Sequence, residues 1–232
     1  MSVIFISVLL IIVNYGFILA SLKLFGRIGL FISIPICVIL ANLQVIVTID
    51  FLGLALTLGN VAYASSYLIT DLLGELYSKK DAKYGVYIGF FAMISVTLIM
   101  NVILLYTPKV ESQVMYESLS NIFTLIPRIT LASLTAYFIS QSLDVVIFNK
   151  FKSKHKGKKL WFRNNVSTIT SQLLDNVIFT LLAFLGVFPF QVVVQIFITT
   201  YIVKLIVSLI DTPFMYLGVY LKKNNKVKEI WW

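Results

Sequence analysis

Apolar runs about twenty residues long recur along this chain and restrict its fold more than any other feature. A helix needs roughly 20 apolar residues to cross the roughly 30 Å of hydrocarbon in a bilayer. Seven such runs lie at about 3–22, 29–48, 53–76, 85–106, 128–149, 166–187 and 191–219. Only 12% of the 232 residues are charged, whereas a soluble domain is about a quarter charged. The sequence predicts an all-α, polytopic protein of the cytoplasmic membrane with about seven transmembrane helices.

Basic residues predict how these helices are oriented. If the N-terminus lies outside, all of the 19 Lys and Arg residues except Lys109, Arg128 and Lys204 fall in cytoplasmic segments. Such asymmetry is typical of cytoplasmic loops and favours an outer N-terminus and an inner C-terminus. A six-helix count would place one basic cluster on the wrong side. The net charge of +9 therefore indicates contact with anionic lipid and not with nucleic acid.

Residues that would support an enzyme or a metal site are scarce. The one cysteine, Cys37, lies in an apolar run, and the one histidine, His155, stands among lysines. We therefore predict no disulfide framework, no metal and no cofactor. The sequence also lacks the common nucleotide-binding, nucleophile and zinc-protease motifs. We predict that the protein is not an enzyme and that uphill transport would need an ion gradient or a separate ATPase.

The third apolar run carries a polar stripe. If this run is helical, one face displays five polar residues at spacings of 3, 4, 4 and 4: Asn60, Tyr63, Tyr67, Asp71 and Glu75. A carboxylate at the centre of a transmembrane helix costs roughly 2.5–3.5 kcal/mol, so it needs a partner or a polar cavity.

Later runs carry similar stripes. These are Tyr137, Gln141 and Asp144; Ser167, Ser171 and Asp175 with Gln172 alongside; and Lys204, Ser208 and Asp211. We expect the four stripes to meet at a similar depth in one polar cavity, which favours a solute or ion pathway. In the alternative interpretation, each residue only holds helices together. Lys204 would then pair with Asp144 or Asp175, and Glu75 would be an interfacial charge near Lys79 and Lys80.

A short motif occurs twice on consecutive runs. The segment from Ser140 to Phe148 matches the segment from Ser171 to Phe179 at seven of nine positions, including Ser-Gln-x-x-Asp in both. The two copies would run antiparallel, as inverted repeats do in many transporters. A true internal repeat and a coincidence both remain open.

Several polar motifs together resemble the queuosine-precursor transporter family, also called the vitamin uptake transporter family. They are Asn60-x-x-Tyr63, Thr70-Asp71-x-x-x-Glu75-x-Tyr77, Ala132-Ser133, Ala136-Tyr137, Ser140-Gln141-x-x-Asp144, Trp161-x-Arg163-Asn164-Asn165-x-Ser167-Thr168, Ser171-Gln172-x-x-Asp175, Lys204 and Pro213. The family usually has glycine where this chain has Ser78, from which we expect a slightly different turn. Because the resemblance begins near residue 30, we divide the chain into an additional N-terminal helix (1–28), a transporter core (29–221) and a basic cytoplasmic tail (222–232).

The resemblance implies import of a small nucleobase-like substrate for tRNA modification: 7-cyano-7-deazaguanine, 7-aminomethyl-7-deazaguanine or queuine. One carboxylate can accept both hydrogen bonds from the guanine-like edge of such a base. The expected substrate-binding residues are Asp144, Asp175, Gln141, Gln172, Asn60, Tyr63, Tyr67 and Asp71. The expected gating residues or charge partners are Glu75, Arg163, Lys204, Asp211, Ser167 and Ser171.

The mode of transport is left open by the sequence. We expect a secondary carrier, either ion-coupled or facilitative, with a proton as the candidate coupling ion and a homodimer as the candidate assembly. One alternative is a substrate-binding subunit that works with an ATPase module. The other is a membrane scaffold that transports nothing.

Overall fold

The computed structural model describes residues 3–45, 47–51, 54–123, 127–155, 158–186 and 189–229. Its elements are α1 (Val3–Gln44), β1 (Thr48–Phe51), β2 (Leu54–Thr57), α2 (Gly59–Leu76), α3 (Lys79–Ile103), α4 (Gln113–Phe123), α5 (Pro127–Lys154), α6 (Leu160–Phe184) and α7 (Phe190–Lys223). Apart from the two short strands and a 3₁₀ turn at Val110–Ser112, the described elements are α-helices. The predicted helical architecture is therefore confirmed in outline.

The first two predicted runs form one long element with a sharp break. Gly26 has φ 58° and ψ −133°, a conformation that glycine adopts at little cost. The Ser21 hydroxyl donates to the Gly29 carbonyl at 2.8 Å, although eight residues of continuous helix would separate them by about 12 Å. The chain therefore turns back at Gly26, which divides α1 into an N-terminal arm (3–25) and a C-terminal arm (27–44).

The second and third predicted runs are joined by a β-hairpin. β1 and β2 pair antiparallel, with Thr48 opposite Thr57 and Asp50 opposite Ala55. This hairpin uses residues that we had assigned to both runs, so α2 begins at Gly59 and not near residue 53. The secondary structure of an apolar run cannot be predicted from its hydrophobicity when its residues suit both helices and strands.

α2 lies at the centre of the bundle. All of its 18 residues except Tyr63, Glu75 and Leu76 are buried. Its Leu68 and Leu72 pack in one cluster with Tyr15 and Ile18 of the N-terminal arm. Five described segments are long and apolar enough to cross a membrane: Phe5–Gln44, which contains both arms, Lys79–Ile103, Leu131–Lys154, Leu160–Phe184 and Val193–Lys223. α2 is surrounded by such helices, which explains how it tolerates so many polar residues.

Ser78 begins α3. Its hydroxyl accepts a hydrogen bond from the Asp81 backbone amide at 3.0 Å and donates one to the Asp81 carboxylate at 2.6 Å. This is N-cap geometry, in which a side chain replaces a missing helical partner. The departure from the family pattern at Ser78 thus provides a cap at the short turn between α2 and α3.

Candidate functional site

A cavity of about 300 Å³ lies at the end of the bundle that is remote from the lysine-rich loops. This volume is at the small end of the range for ligand pockets. Its polar lining comes from Asn42, Asn60, Tyr63, Ser133, Tyr137, Asp175, Thr200 and Lys204. Its apolar lining includes Phe179 and Phe184. Five of the bundle's long helices and the start of α2 meet here.

An ion pair lies against this cavity. Lys204 Nζ is 2.6 Å from Asp175 Oδ2, and both side chains are almost fully buried. Asp175 Oδ1 accepts hydrogen bonds from the hydroxyls of Tyr63 and, at 3.2 Å, Ser140. Lys204 Nζ also lies 5.0 Å from the centre of the Tyr63 ring. Asp175 is therefore a fully hydrogen-bonded carboxylate whose charge is balanced by Lys204.

Tyrosines form one wall of the cavity. The Tyr63 ring meets those of Tyr67 and Tyr137 edge to face, at centroid distances of 5.6 and 6.1 Å. The Tyr137 hydroxyl is buried and has no hydrogen-bond partner among the described residues. It lies over Gly89, where even a methyl side chain would overlap it. Gly89 thus determines where the Tyr137 ring can sit.

A polar layer lies beside Asp175 on the α2 side. The Tyr67 hydroxyl donates to Ser140 at 2.8 Å, which extends the network around Asp175. Gln141 donates to Ser66 at 2.6 Å and accepts from Thr70 at 3.2 Å. These bonds join α2 to α5 through side chains that are all buried.

Three aspartates form a second group, which we call the acid cluster: Asp71, Asp144 and Asp211. The carboxyl groups of Asp71 and Asp144 are neighbours. Asp144 accepts from Ser171 at 2.8 Å, and Asp211 accepts from Asn164 at 2.8 Å. None of the three lines the cavity. Within the described chain, none of them forms an ion pair.

An ionic layer closes the end of the bundle that carries the basic loops. Arg163, fully buried, forms a two-pronged ion pair with Glu75, with Nη2 2.7 Å from Oε1. Lys152 lies 3.3 Å from the same carboxylate and donates to the backbone carbonyls of Gly74 and Glu75 at the end of α2. These bonds satisfy carbonyls that lack a helical partner.

The C-terminal tail packs against the same end of the bundle. Glu229 accepts hydrogen bonds from Lys222, from the Tyr77 hydroxyl at 2.7 Å and from the Arg27 backbone amide at 3.3 Å. Partial burial alone would raise the pKa of Glu229, but the hydrogen bonds from Lys222, Tyr77 and Arg27 outweigh it and lower that pKa. Lys228 donates its backbone amide to the Lys23 carbonyl at 2.9 Å. The tail thus joins α7 to the turn of α1.

The two copies of Ser-Gln-x-x-Asp contact each other reciprocally. Ser140 of the first copy donates to Asp175 of the second, and Ser171 of the second donates to Asp144 of the first. Each serine thus bonds the aspartate of the other copy, as expected for two antiparallel helices related by a local two-fold axis. The two glutamines of the motifs do not show this reciprocal arrangement. Gln141 is hydrogen-bonded, whereas both amide atoms of the buried Gln172 lack a partner in the described chain.

Comparison with known proteins now identifies the family. The family model described as "Putative vitamin uptake transporter" matches residues 57–218. The chain belongs to this family. A protein named "Probable queuosine precursor transporter" from Bacillus subtilis (strain 168) is 39% identical over 216 residues, which cover 93% of this chain and 94% of that protein. The "Queuosine precursor transporter" of Escherichia coli (strain K12) is 27% identical over 198 residues, 82% and 86% of the two chains. No solved structure matches.

Family membership confirms the broad interpretation of the sequence. The chain is a multi-pass protein of the cell membrane, and its family consists of transporters and not of enzymes. The resemblance that the polar motifs indicated is likewise confirmed.

The structure places the predicted site residues of this transporter at different levels. Asn60, Tyr63, Asp175 and Lys204 line the cavity. Tyr67, Gln141 and Ser171 lie in the buried hydrogen-bond network, with Ser167 and Gln172 on the same helix as Ser171. Asp71, Asp144 and Asp211 form the acid cluster, and Glu75 and Arg163 the ionic layer. The four stripes therefore do not line one cavity. Their polar residues lie at separate levels of the bundle: the cavity, the acid cluster and the ionic layer.

Two expected contacts were resolved by the structure. Lys204 pairs with Asp175 and not with Asp144, while Glu75 pairs with Arg163 and Lys152 and not with Lys79 or Lys80. Tyr137 was missing from the predicted set, although it shares the helical stripe of Gln141 and Asp144. That position on a polar face is the sequence feature that could have identified Tyr137 as a site residue. The side chain of Arg128 lies outside the described part.

Proposed function

We propose that this transporter imports a queuosine precursor, either 7-cyano-7-deazaguanine, 7-aminomethyl-7-deazaguanine or queuine, as a secondary carrier. Its relatives in Bacillus subtilis, Haemophilus influenzae and Escherichia coli carry names that specify such a transporter. The observation that carries the proposal is a cavity of ligand size against a buried carboxylate–ammonium pair, Asp175 and Lys204.

The chemistry of the cavity suits a planar, neutral base. Asp175 presents a carboxylate that can accept two hydrogen bonds from an N–H and an amino group side by side. Lys204 offers N–H donors to a carbonyl oxygen on the same edge. Tyr63 and Phe179 provide aromatic faces and edges against which the ring can pack. The unpartnered Tyr137 hydroxyl lines the cavity and is an additional polar group that a base can satisfy.

Binding at Asp175 requires the present hydrogen bonds to rearrange. Tyr63 and Ser140 occupy one carboxylate oxygen and Lys204 the other. A base that takes over these oxygens releases Tyr63 and Lys204, which contact each other across the Tyr63 ring. Substrate binding would thus alter the bonds that join α6 to α2 and α7, and so couple occupancy to helix movement.

The distribution of basic residues supports an orientation for import. We propose seven transmembrane helices, counting the two arms of α1 separately, with the N-terminus outside and the C-terminus inside. The cavity then lies toward the outer surface, and the Glu75–Arg163 layer lies toward the cytoplasm. Residues 1–28 would be an additional helix, 29–221 the transporter core and 222–232 a basic cytoplasmic tail. The assembly is a monomer or a homodimer.

Uptake by the purified chain alone tests this proposal. Liposomes containing only this protein should take up labelled 7-cyano-7-deazaguanine, and one of the three unlabelled precursors should compete best. Ser133→Trp should fill the cavity and reduce uptake to background. Ser118→Trp, on the exposed face of α4, is the matched control and should transport normally.

The outcome separates the carrier from its alternatives. No uptake by the pure chain, with uptake restored by a co-purifying ATPase, would replace the carrier with a binding subunit. Failure of all three precursors to bind or shift the thermal unfolding midpoint would overturn the substrate assignment. Normal uptake by Ser133→Trp would exclude this cavity as the site.

A further inference from the structure

The acid cluster has a surplus of hydrogen-bond acceptors. Three of its buried oxygens and one oxygen of the adjacent Asn164 have no donor among the described residues: Asp71 Oδ1, Asp144 Oδ2, Asp211 Oδ2 and Asn164 Oδ1. Asn164 is fully buried, and its amide nitrogen is held in the cluster by Asp211, so its oxygen is an acceptor within the same polar group. Buried polar atoms nearly always have partners. The species that such a cluster lacks is a donor of hydrogen bonds.

The cations near the cluster are committed elsewhere. Lys204 pairs with Asp175, and Arg163 pairs with Glu75. Three buried carboxylates without a paired cation would repel one another and could not all stay ionised. The described chain also contains no group of three acidic, histidine or cysteine side chains arranged to hold a metal ion. A proton satisfies both requirements, because it neutralises a carboxylate and turns an acceptor into a donor.

Asp71 and Asp144 form the part of the cluster that is best suited to share a proton. Their carboxyl groups are neighbours, and two adjacent buried carboxylates are relieved of repulsion when one proton lies between them. Asp144 accepts from Ser171 at 2.8 Å, and the hydroxyls of Ser167 and Thr168 lie near it. Asp71 has one distant hydroxyl, Thr168 at 3.5 Å. Because donors stabilise a negative charge, this arrangement favours the charge on Asp144 and the proton on Asp71.

The surroundings of the pair come from several helices. Asp211 of α7 and Arg163 of α6 act electrostatically on Asp71, and the phenol groups of Tyr15 and Tyr67 lie within the electrostatic reach of Asp211 and Asp144. The buried residues of α3 are uncharged: Ala82, Gly85, Val86, Gly89 and Met93. Arg163 is the cation that faces the pair, and a shift of Arg163 away from Glu75 would favour loss of the proton.

The cluster is placed between the cavity and the ionic layer. Asp144 lies one helical turn beyond Ser140 and Gln141 on α5, and Asp71 lies one turn beyond Tyr67 on α2. Ser140 and Tyr67 belong to the network of Asp175. Occupancy of the cavity and protonation of the cluster therefore act on the same two helices.

We propose that the acid cluster of Asp71, Asp144 and Asp211 is a proton-binding site, through which the proton gradient drives substrate import. This inference rests on the proposed function. The proton enters from the cavity side, resides on the Asp71–Asp144 pair and leaves toward the cytoplasm near Arg163. Asp71 and Asp144 then serve the coupling ion, whereas Asp175 serves the base.

Proton movement and exchange, measured in the same liposomes, test the assignment. With wild-type protein and a pH-sensitive dye inside, addition of 7-cyano-7-deazaguanine outside should acidify the lumen, and an acidic exterior should drive accumulation. Asp71→Asn should abolish acidification and lower accumulation at least tenfold, yet retain exchange of labelled for unlabelled base. Asp144→Asn should do the same. Glu117→Gln, which removes an exposed carboxylate from α4, should behave like wild type.

Each result has a defined meaning. Retained exchange shows that an Asp71→Asn protein is folded and binds the base, so the loss of proton movement can be assigned to coupling. Wild-type uptake without acidification, uptake driven by a sodium gradient instead, or normal acidification by Asp71→Asn and Asp144→Asn would overturn the proton site. Absence of both binding and exchange in the wild type would overturn the proposed function, which is a different outcome.

Discussion

The two Ser-Gln-x-x-Asp motifs are nearly identical in sequence but occupy different surroundings. Asp175 has a buried cation, a tyrosine and a serine as partners and lines a cavity. Asp144 faces another carboxyl group and has only hydroxyl donors. The difference arises from α2 and α7, which bring Lys204 to one aspartate and Asp71 to the other. The chemistry of a repeated motif is therefore determined by the helices that pack against it.

Neutralising each aspartate should give the largest contrast. Asp175→Asn leaves Lys204 buried without a counter-ion, which should cost about 3–5 kcal/mol of stability. Asp144→Asn removes a carboxyl that has no paired cation and should change stability by less than about 1 kcal/mol. Thermal unfolding in detergent measures both.

A double variant provides the control for this contrast. Asp175→Asn combined with Lys204→Met should recover most of the stability, because both charges are then absent. Equal losses for Asp175→Asn and Asp144→Asn would show that Lys204 does not distinguish the two motifs.

A substitution beside the cavity should weaken binding of the base without changing the pH response of transport. Gly89→Ala places a methyl group against the Tyr137 hydroxyl and should push that ring into the cavity. We expect about tenfold weaker binding of 7-cyano-7-deazaguanine, which corresponds to about 1.4 kcal/mol, with the pH response of transport unchanged. Isothermal titration measures the affinity. Gly16→Ala is the matched control, because its added methyl group would meet open space; weakened binding there as well would point to a general effect on folding.

Removing the reciprocal hydroxyls should sharpen the comparison further. Ser140→Ala and Ser171→Ala each delete one hydrogen bond to an aspartate, worth about 1 kcal/mol. Ser140→Ala should raise the substrate concentration needed for half-maximal uptake, whereas Ser171→Ala should shift the pH dependence of uptake. Ser118→Ala serves as the exposed control. Identical effects of Ser140→Ala and Ser171→Ala would contradict the division of roles.

The tail should show the smallest effect, because it contacts neither motif. The pKa of Glu229 is lowered in the folded chain, so its stabilising contribution is present above the usual value of 4.5 and is lost as the pH falls through the folded-state pKa. Glu229→Gln should lower stability at pH 7 by less than about 1 kcal/mol, and the difference from wild type should shrink at pH 3.5. Unfolding midpoints at the two pH values test this; a difference that grows at pH 3.5 would contradict the tail contacts.

The helices could be predicted from the sequence because a bilayer demands long apolar runs. The β-hairpin at Thr48–Phe51 and Leu54–Thr57 could not be predicted, because a short apolar stretch is compatible with a strand as well as with a helix. Helical spacing correctly grouped residues by face. It could not show that Lys204 meets Asp175, or that the acid cluster lies apart from the cavity, because tilt and relative depth of the helices determine those contacts. The spacing placed Tyr137 on a polar face but could not show that its hydroxyl lies over Gly89 in the wall of the cavity.

The packing of α1 shows that the stretch matched by the family model differs from the stretch that forms the buried core. The match to the family model begins at residue 57, yet Tyr15, Ile18, Leu30 and Ile34 of α1 are fully buried against the helices that follow. Cutting the chain at the family boundary would expose the apolar side of α2, the helix that carries Tyr63 and Asp71. The smallest stretch that keeps α2 covered is therefore longer than the stretch that the family model matches, and truncated versions of this protein should be designed from burial and not from the limits of that match.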